Sequence, residues 1–236
     1  MRFSRLLVFI CLASAAIALP KGSAQAGNLV VYDLAGVSAG ESLRQNPTFV
    51  APGLSASSLS PGAGLTADGR TFAYAFTDWT RSDSPDTDDY IAFTVTPDAG
   101  NSVTFETISL RLFSASNLPP GPRMWELRGS GDGFATSTLL ADFASDGNSF
   151  TAGPLSLAAL GTTASAVEFR LYGYEAGASF AVDGLANDPA FPNPPGVVLT
   201  GTVQPAGVVV PEPSSVVLLC AGGLTLLAGR RLRRSA

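Results

Sequence analysis

Apolar and polar residues alternate in several short stretches between residues 27 and 207. Residues 71–76, 90–95, 167–172 and 179–183 each carry an apolar side chain at every second position. A period of two is typical of β-strands with one buried face. In residues 103–112 the alternation changes phase between Phe105 and Ile108, which predicts a β-bulge there.

Turn-forming residues separate these stretches. Clusters rich in Gly, Pro, Asn and Asp, such as SNLPPGP and GSGDGF, lie between the alternating segments. No long stretch with helical periodicity occurs between them. The sequence therefore predicts an all-β body, built as an antiparallel β-sandwich or jelly roll.

The first 26 residues have the parts of a secretory signal peptide. Arg2 and Arg5 provide the positive start, and residues 6–19 form an apolar segment. Ala24 and Ala26 are small residues in an A-x-A arrangement, so cleavage is predicted before Gly27. The alternative is an uncleaved membrane helix.

The last 29 residues predict a membrane segment. An uncharged stretch gives a single transmembrane helix over about residues 214–229. Positive charge should remain on the cytoplasmic side, which places the body across the membrane, as the signal peptide also requires. The predicted organisation is a signal at 1–26, an acidic ectodomain at 27–207 and a tail at 208–236. The cluster that stops the helix consists of Arg230, Arg231, Arg233 and Arg234.

The tail resembles the PEP-CTERM sorting signal. Pro211, Glu212 and Pro213 precede the apolar helix and the arginine cluster, in the order typical of that family. The resemblance implies a substrate of an exosortase-type sorting enzyme in an exopolysaccharide-producing Gram-negative bacterium. It also implies export across the inner membrane, transient anchoring, and final placement at the cell surface or outside the cell. An ordinary single-pass anchor is the alternative.

About half of the chain, from Tyr90 onward, also resembles the β-sandwich bodies found on PEP-CTERM proteins. The segments that carry this resemblance include YIAFTVTP, VEFRLYGYEAGASFAVDGL and the closing LTGTV. That resemblance implies a fold and a location, and no activity.

Composition excludes several kinds of chemistry. Residues 27–210 contain seven basic and eighteen acidic residues, a net charge of −11, which argues against nucleic acid as a partner. The chain has no His, its one Lys is Lys21, and its cysteines are Cys11 and Cys220 at the two ends. The G-x-S-x-G match at 36–40 therefore lacks a catalytic base and is interpreted as a turn.

The sequence accordingly predicts no enzyme and no required cofactor. Zinc sites, Schiff bases and thiolate nucleophiles need His, Cys or Lys residues that the body lacks. A glycan hydrolase, which needs only two carboxylates, remains an alternative.

One acidic segment is a candidate calcium site. Asp83, Asp86, Asp88 and Asp89 offer four carboxylates in seven residues, and calcium prefers oxygen ligands. Their spacing differs from that of an EF-hand, and a solvated acidic loop is the alternative. Asp132, in GSGDGF, is interpreted as part of a tight turn.

Three aromatic residues are candidates for stacking on sugar rings. Trp79 lies beside the acidic segment and is predicted at the surface, whereas Trp125 shares the phase of Leu127 and is predicted in the core. Tyr172 and Tyr174 should share one strand face with Glu168 and Arg170, which could bind sugar or simply face solvent. The candidates for stacking on sugar are therefore Trp79, Tyr172 and Tyr174.

Together these features predict an exported cell-surface or extracellular matrix protein with a structural or adhesive role. Its partners would be the sorting enzyme, the membrane before processing, and exopolysaccharide. The first alternative is a carbohydrate-binding module, and the second is the carboxylate-dependent glycan hydrolase.

Overall fold

The computed structural model describes residues 26–35, 37, 43–69, 73–114, 120–145, 148–186 and 195–205. In these ranges the regular structure consists of short and medium strands, with a single 3₁₀ turn at Ala158–Leu160. The first strands along the chain are β1 (Gly27–Tyr32), β2 (Phe49–Val50), β3 (Leu54–Ala56), β4 (Ser60–Pro61), β5 (Thr66–Ala67), β6 (Ala73–Thr77) and β7 (Tyr90–Pro97). The remaining strands are β8 (Asn101–Ser114), β9 (Met124–Ser130), β10 (Thr138–Ala144), β11 (Phe150–Ser156), β12 (Thr162–Thr163), β13 (Val167–Tyr174), β14 (Asp183–Ala186) and β15 (Val197–Pro205).

The strands form two antiparallel sheets. In the first sheet the order is β2-β1-β15-β8-β14-β6-β5, and both β11 and β12 also pair with β8. In the second sheet the order is β10-β9-β13-β7-β3, and β4 also pairs with β7. The all-β, antiparallel architecture predicted from the sequence is confirmed.

Aromatic side chains from the two sheets meet between them. Phe105 of β8 contacts Phe169 of β13 edge to face, with ring centroids 5.3 Å apart. Tyr32 of β1 and Phe93 of β7 are also 5.3 Å apart. These contacts lie in one continuous core of buried residues drawn from both sheets, so the sheets pack face to face as a sandwich.

Strict alternation predicted the inward face of the second sheet well. Ile91, Phe93 and Val95 of β7 are buried, as are Phe169 and Leu171 of β13. Because one face of each strand is apolar, the opposite face is left for polar side chains. That outer face is where the site described below lies.

The predicted bulge in β8 is also present. Thr107 pairs with Thr200 and Phe105 pairs with Gly201, so the register shifts by one residue in β8. The extra residue lets Phe105 and Ile108 both point into the core despite their odd spacing.

Two strand predictions need correction. The alternation in residues 71–76 predicted one buried face, but Ala73 and Ala75, which alternate with the aromatic residues of β6, are also fully buried, in a second small cluster with Val182 and Ala186. Phe180, predicted as a buried strand residue, is 68% exposed, because the strand begins later, at Asp183.

Several predictions concern residues outside the described ranges. These are the signal segment through residue 25, with Ala24, most of the G-x-S-x-G segment, and the tail with Pro211, Glu212, Pro213 and its arginines. Ala26 is described and exposed. Among the described residues, none forms a helix of sufficient length and apolar character to span a bilayer.

Candidate functional site

A cleft of about 380 Å³ opens on the outer face of the second sheet. Its floor comes from β9 and β13, and its walls come from the β9–β10 loop and from the segment before β7. The volume falls in the range of about 300–1,000 Å³ that is common for small-ligand sites. The lining residues are Pro85, Asp86, Thr87, Glu126, Arg128, Phe134, Ser137, Arg170 and Tyr172.

The floor repeats one short pattern on two neighbouring strands. Glu126 and Arg128 alternate with the buried Leu127 on β9, as Glu168 and Arg170 alternate with Phe169 on β13. The two strands pair so that Arg170 lies opposite Arg128, and Tyr172 lies opposite Glu126. Two arginines directly across a sheet would repel each other unless each had an anionic partner.

Each arginine has that partner two residues earlier on its own strand. The Nε atom of Arg170 donates to Oε1 of Glu168 at 2.7 Å, and Nε of Arg128 donates to Oε1 of Glu126. The pairs are partly shielded from solvent: side-chain exposure is 35% for Arg128 and 10% for Glu126, against 18% for Arg170 and 24% for Glu168. Charge-assisted hydrogen bonds in such surroundings fix side-chain orientation.

Two aromatic rings contact the guanidinium of Arg170. Its Cζ lies 4.3 Å from the ring centroid of Tyr90 and 4.0 Å from that of Phe134. Burial alone would lower the pKa of Arg170, but hydrogen bonds to Glu168 and Tyr172 outweigh that effect and raise it. The guanidinium is therefore a permanent cation, positioned by Glu168 and by two aromatic contacts.

The β9–β10 loop places Phe134 over Arg170. Ser130 Oγ accepts the backbone N–H of Phe134 at 2.9 Å, and Asp132 Oδ2 accepts the Thr136 hydroxyl at 2.6 Å. Hydrogen bonds from Thr136 and Ser130 lower the pKa of Asp132 to about 2. Phe134 itself has a φ of +65°, a conformation that non-glycine residues rarely adopt and that a surrounding network must maintain.

The acidic segment forms the other wall through Asp86. Asp86 Oδ1 accepts the backbone N–H of Asp88 at 3.0 Å, while Asp83 and Asp88 are exposed. Asp89 points inward and is buried beside Gly64, and burial raises its pKa to about 6. In the described part of the chain, no three His, Cys, Asp or Glu side chains form a group that could hold a metal ion, so the structure does not assemble the predicted calcium site from these aspartates.

Trp79 is not a surface residue, contrary to the sequence prediction. The chain reverses at Asp78, where φ is +66°, and turns the indole inward until it is 1% exposed. The Trp79 ring packs against Trp125 at 5.1 Å, and its Nε1 donates to the Phe76 carbonyl at 3.0 Å. Trp125 lies in the core as predicted.

The two tyrosines lie on the predicted face but only one lines the cleft. Tyr172 contacts the Tyr90 ring edge to face at 5.6 Å, and burial raises its pKa. Tyr174 lies two residues further on, opposite Met124, where it is buried and away from the lining. The shared face of Glu168, Arg170 and Tyr172 was predicted from alternation alone.

The sequence also contained a signal for the rest of the floor that alternation alone did not single out. Glu126-Leu127-Arg128 repeats the spacing of Glu168-Phe169-Arg170, which indicates two matching strand faces. Phe134 gave no such signal because its position depends on the turn that Asp132 organises.

The cleft offers two kinds of contact. The Phe134 and Tyr172 rings provide apolar surface, and the carboxylates, guanidiniums and Ser137 hydroxyl provide acceptors and donors in fixed places. Arg128 Nη1 also donates to Ser137 Oγ at 3.2 Å, which adds to the order of that wall. Such a mixture suits a small ligand with both C–H surfaces and hydroxyl groups.

No protein-family model and no curated protein matches this sequence. Among solved structures, the chain is similar to a family 29 carbohydrate-binding module from Piromyces equi, with 9% identity, 75% of this chain and 91% of that chain covered, and a TM-score of 0.38. It is also similar to the family 32 module of C. perfringens NanJ in complex with galactose, with 10% identity, 64% and 93% coverage, and a TM-score of 0.31. At these scores the likeness assigns no function to this chain.

Proposed function

We propose that this protein binds carbohydrate in the cleft on the outer face of its second sheet. The observation that carries the proposal is the contact of Arg170 with the Phe134 and Tyr90 rings, beside Tyr172 and the Glu126–Arg128 pair. Aromatic rings pack on the C–H faces of sugars, and fixed charged pairs hydrogen-bond their hydroxyl groups. Carbohydrate binding, first an alternative to a general adhesive role, thereby becomes the leading function.

We further propose that the protein is exported and sorted through its tail. The supporting observations are the signal-like residues 1–26 and the ordered Pro211-Glu212-Pro213, apolar and arginine segments. Carbohydrate binding would then attach the protein to exopolysaccharide, which gives the structural or adhesive role a mechanism.

A binding panel tests the proposal. The full chain, purified in a detergent without a sugar headgroup, is incubated with cellulose, mannan, xylan, chitin, alginate and pectate. We expect specific retention on at least one polysaccharide, and Phe134→Ala should weaken that binding at least about tenfold. Phe180→Ala removes an aromatic ring that is 68% exposed on another segment and serves as the matched control.

Two outcomes would overturn the proposal. One is the absence of binding to every polysaccharide by a chain that unfolds cooperatively on heating. The other is binding that Phe134→Ala leaves intact. Release of new reducing ends during the incubation would instead support the glycan hydrolase, and Glu126→Gln should then abolish it.

A further inference from the structure

The charged side chains of the cleft give it no excess of positive charge. Arg128 and Arg170 share the lining with Asp86 and Glu126, and Arg170 is also bound to Glu168, which is outside the lining. Two positive and two negative side chains therefore line the ligand space, and a third carboxylate neutralises one of the two cations. An anionic ligand would enter a site with no excess positive charge, on a body that is itself strongly acidic.

Both guanidiniums already have carboxylate partners. A ligand carboxylate at the Nη edge of Arg128 or Arg170 would share a cation whose Nε already donates to Glu126 or Glu168. It could take the Nε edge only by displacing that glutamate. The displaced glutamate would remain largely buried, since its side chain is 10% or 24% exposed, without a cation beside it. A shielded charge that loses its partner is unfavourable, so the site resists that exchange.

Hydroxyl groups do not require the exchange. A hydroxyl can donate to a free lone pair on Glu126 or Asp86 and accept from an Arg128 N–H, because it has both a proton and lone pairs. The ion pairs then stay intact and hold the orientation of these groups. The Ser137 hydroxyl, held by Arg128, adds a further group of the same dual kind.

We infer that the cleft selects uncharged, hydroxyl-rich glycans and discriminates against glycans that carry carboxylate groups. The inference deepens the proposed carbohydrate binding and rests on it. The specificity comes from the paired arrangement Glu126–Arg128 and Glu168–Arg170, supplemented by Asp86 on the opposite wall.

Matched ligands test this selectivity. Soluble mannan and cello-oligosaccharides are each compared with the same material after oxidation of its primary hydroxyls to carboxylates. Titration calorimetry of the full chain should show at least about tenfold weaker binding of the oxidised forms. Binding of the neutral forms should change less than about twofold between about 25 mM and about 500 mM NaCl, since no net charge is brought together.

One pair of variants tests how the negative charge of Asp86 affects the binding of oxidised glycans. Asp86→Asn removes a negative charge from the cleft and keeps the side-chain oxygen that accepts the Asp88 N–H. It should improve binding of the oxidised glycans about two- to fivefold at low salt. Asp83→Asn makes the same change on the same segment at an exposed position outside the lining, and should improve it less than about 1.5-fold.

The outcomes separate this inference from the proposed function. Tighter binding of the oxidised forms, weakened by salt, would overturn the inference while carbohydrate binding stands. Equal improvement by Asp86→Asn and Asp83→Asn would also overturn it, because the effect would then come from overall charge. Failure of the chain to bind any polysaccharide of the panel, neutral or acidic, would overturn both.

Discussion

Asp183 is a carboxylate that the folded chain buries without a full set of partners. It begins β14, is 3% exposed, and its Oδ2 has no hydrogen-bond partner. A Cβ on Gly121 would lie 1.5 Å from that oxygen, so the close approach depends on the glycine. Burial raises the pKa of Asp183 to about 7.

The raised pKa of Asp183 determines how the free energy of unfolding changes with pH. The folded chain holds the Asp183 proton more tightly than the unfolded chain does, so this stabilisation is complete below about pH 4 and is lost between about pH 4 and about pH 7. Asp89, whose pKa is raised to about 6, acts in the same direction. Each pKa unit corresponds to about 1.4 kcal/mol of ionisation free energy.

We therefore expect Asp183→Asn to stabilise the protein at high pH. The amide is neutral at every pH, so the free energy of unfolding should rise by about 1–3 kcal/mol at about pH 8 relative to the parent chain. The gain should decrease as the pH is lowered and largely disappear at about pH 4, near the pKa of the unfolded chain's carboxyl. Urea unfolding at the two pH values measures it, with exposed Asp83→Asn as the control. A loss of stability at the higher pH, or an equal change at both, would contradict this account.

At the scale of the element, the β9–β10 loop determines whether the cleft has its aromatic wall. Asp132 accepts hydrogen bonds from both the backbone and the hydroxyl of Thr136, and Ser130 binds the loop from its other end. These contacts keep Phe134 in its left-handed conformation over Arg170. The loop is solvent-exposed and outside the core, so it can be loosened without unfolding the sandwich.

Removing the Asp132 carboxylate should affect binding rather than stability. We expect Asp132→Ala to weaken glycan binding about five- to tenfold with less than about 2 °C change in melting temperature. Asp132→Asn keeps one acceptor oxygen and should recover part of the affinity. Asp98→Ala, on the exposed β7–β8 turn, is the control. If Asp132→Ala bound glycan as tightly as the parent chain, the hydrogen bonds of Asp132 would not be needed to position Phe134 for binding.

Alternation of apolar and polar residues predicted some strands of this fold and not others. Where one face is buried and the other exposed, as in β7 and β13, alternation identifies both the strand and its polar face. It fails for β6, where Ala73 and Ala75 are small enough to be covered on the second face as well. The pattern of residues within one strand does not show what covers each face of that strand, since the covering residues come from segments distant in the sequence.

The site was predictable to the same extent. Tyr172, Arg170 and Glu168 share a face because the strand period is two, whatever the rest of the fold does. Trp79 was misplaced because its neighbours are polar, while a backbone reversal at Asp78 turns it into the core. Phe134 and Asp86 could not be predicted as walls, because two loops remote in sequence meet only after the sheet has formed.

For the whole molecule, the cleft on the outer face separates binding from folding. The core lies between the sheets, and the ligand-facing residues lie on the opposite side of β9 and β13. Substitutions in the cleft can therefore change specificity while the sandwich persists. This arrangement would suit the proposed binding function, with delivery proposed for the segments outside the body.

Delivery is tested by the mass of the mature protein. Pro211 and Pro213 lack backbone N–H donors and disfavour helix, which should leave the segment around Glu212 extended and accessible to a protease. In its native host the protein should lose residues 1–26 and end near residues 212–215. In a strain that lacks the exosortase-type enzyme it should retain residues 230–236. Intact mass spectrometry of both preparations distinguishes these forms.

The same measurement tests where the proposed glycan binding would take place. If the tail is removed only when the sorting enzyme is present, the body is released from the membrane and can bind exopolysaccharide at a distance from the cell. If the arginine-rich end is retained in both strains, the tail is a permanent anchor, and the cleft must bind glycan at the outer side of the inner membrane. The second result would contradict sorting but would leave the carbohydrate specificity of the cleft unaffected, because that specificity depends on residues 85–172.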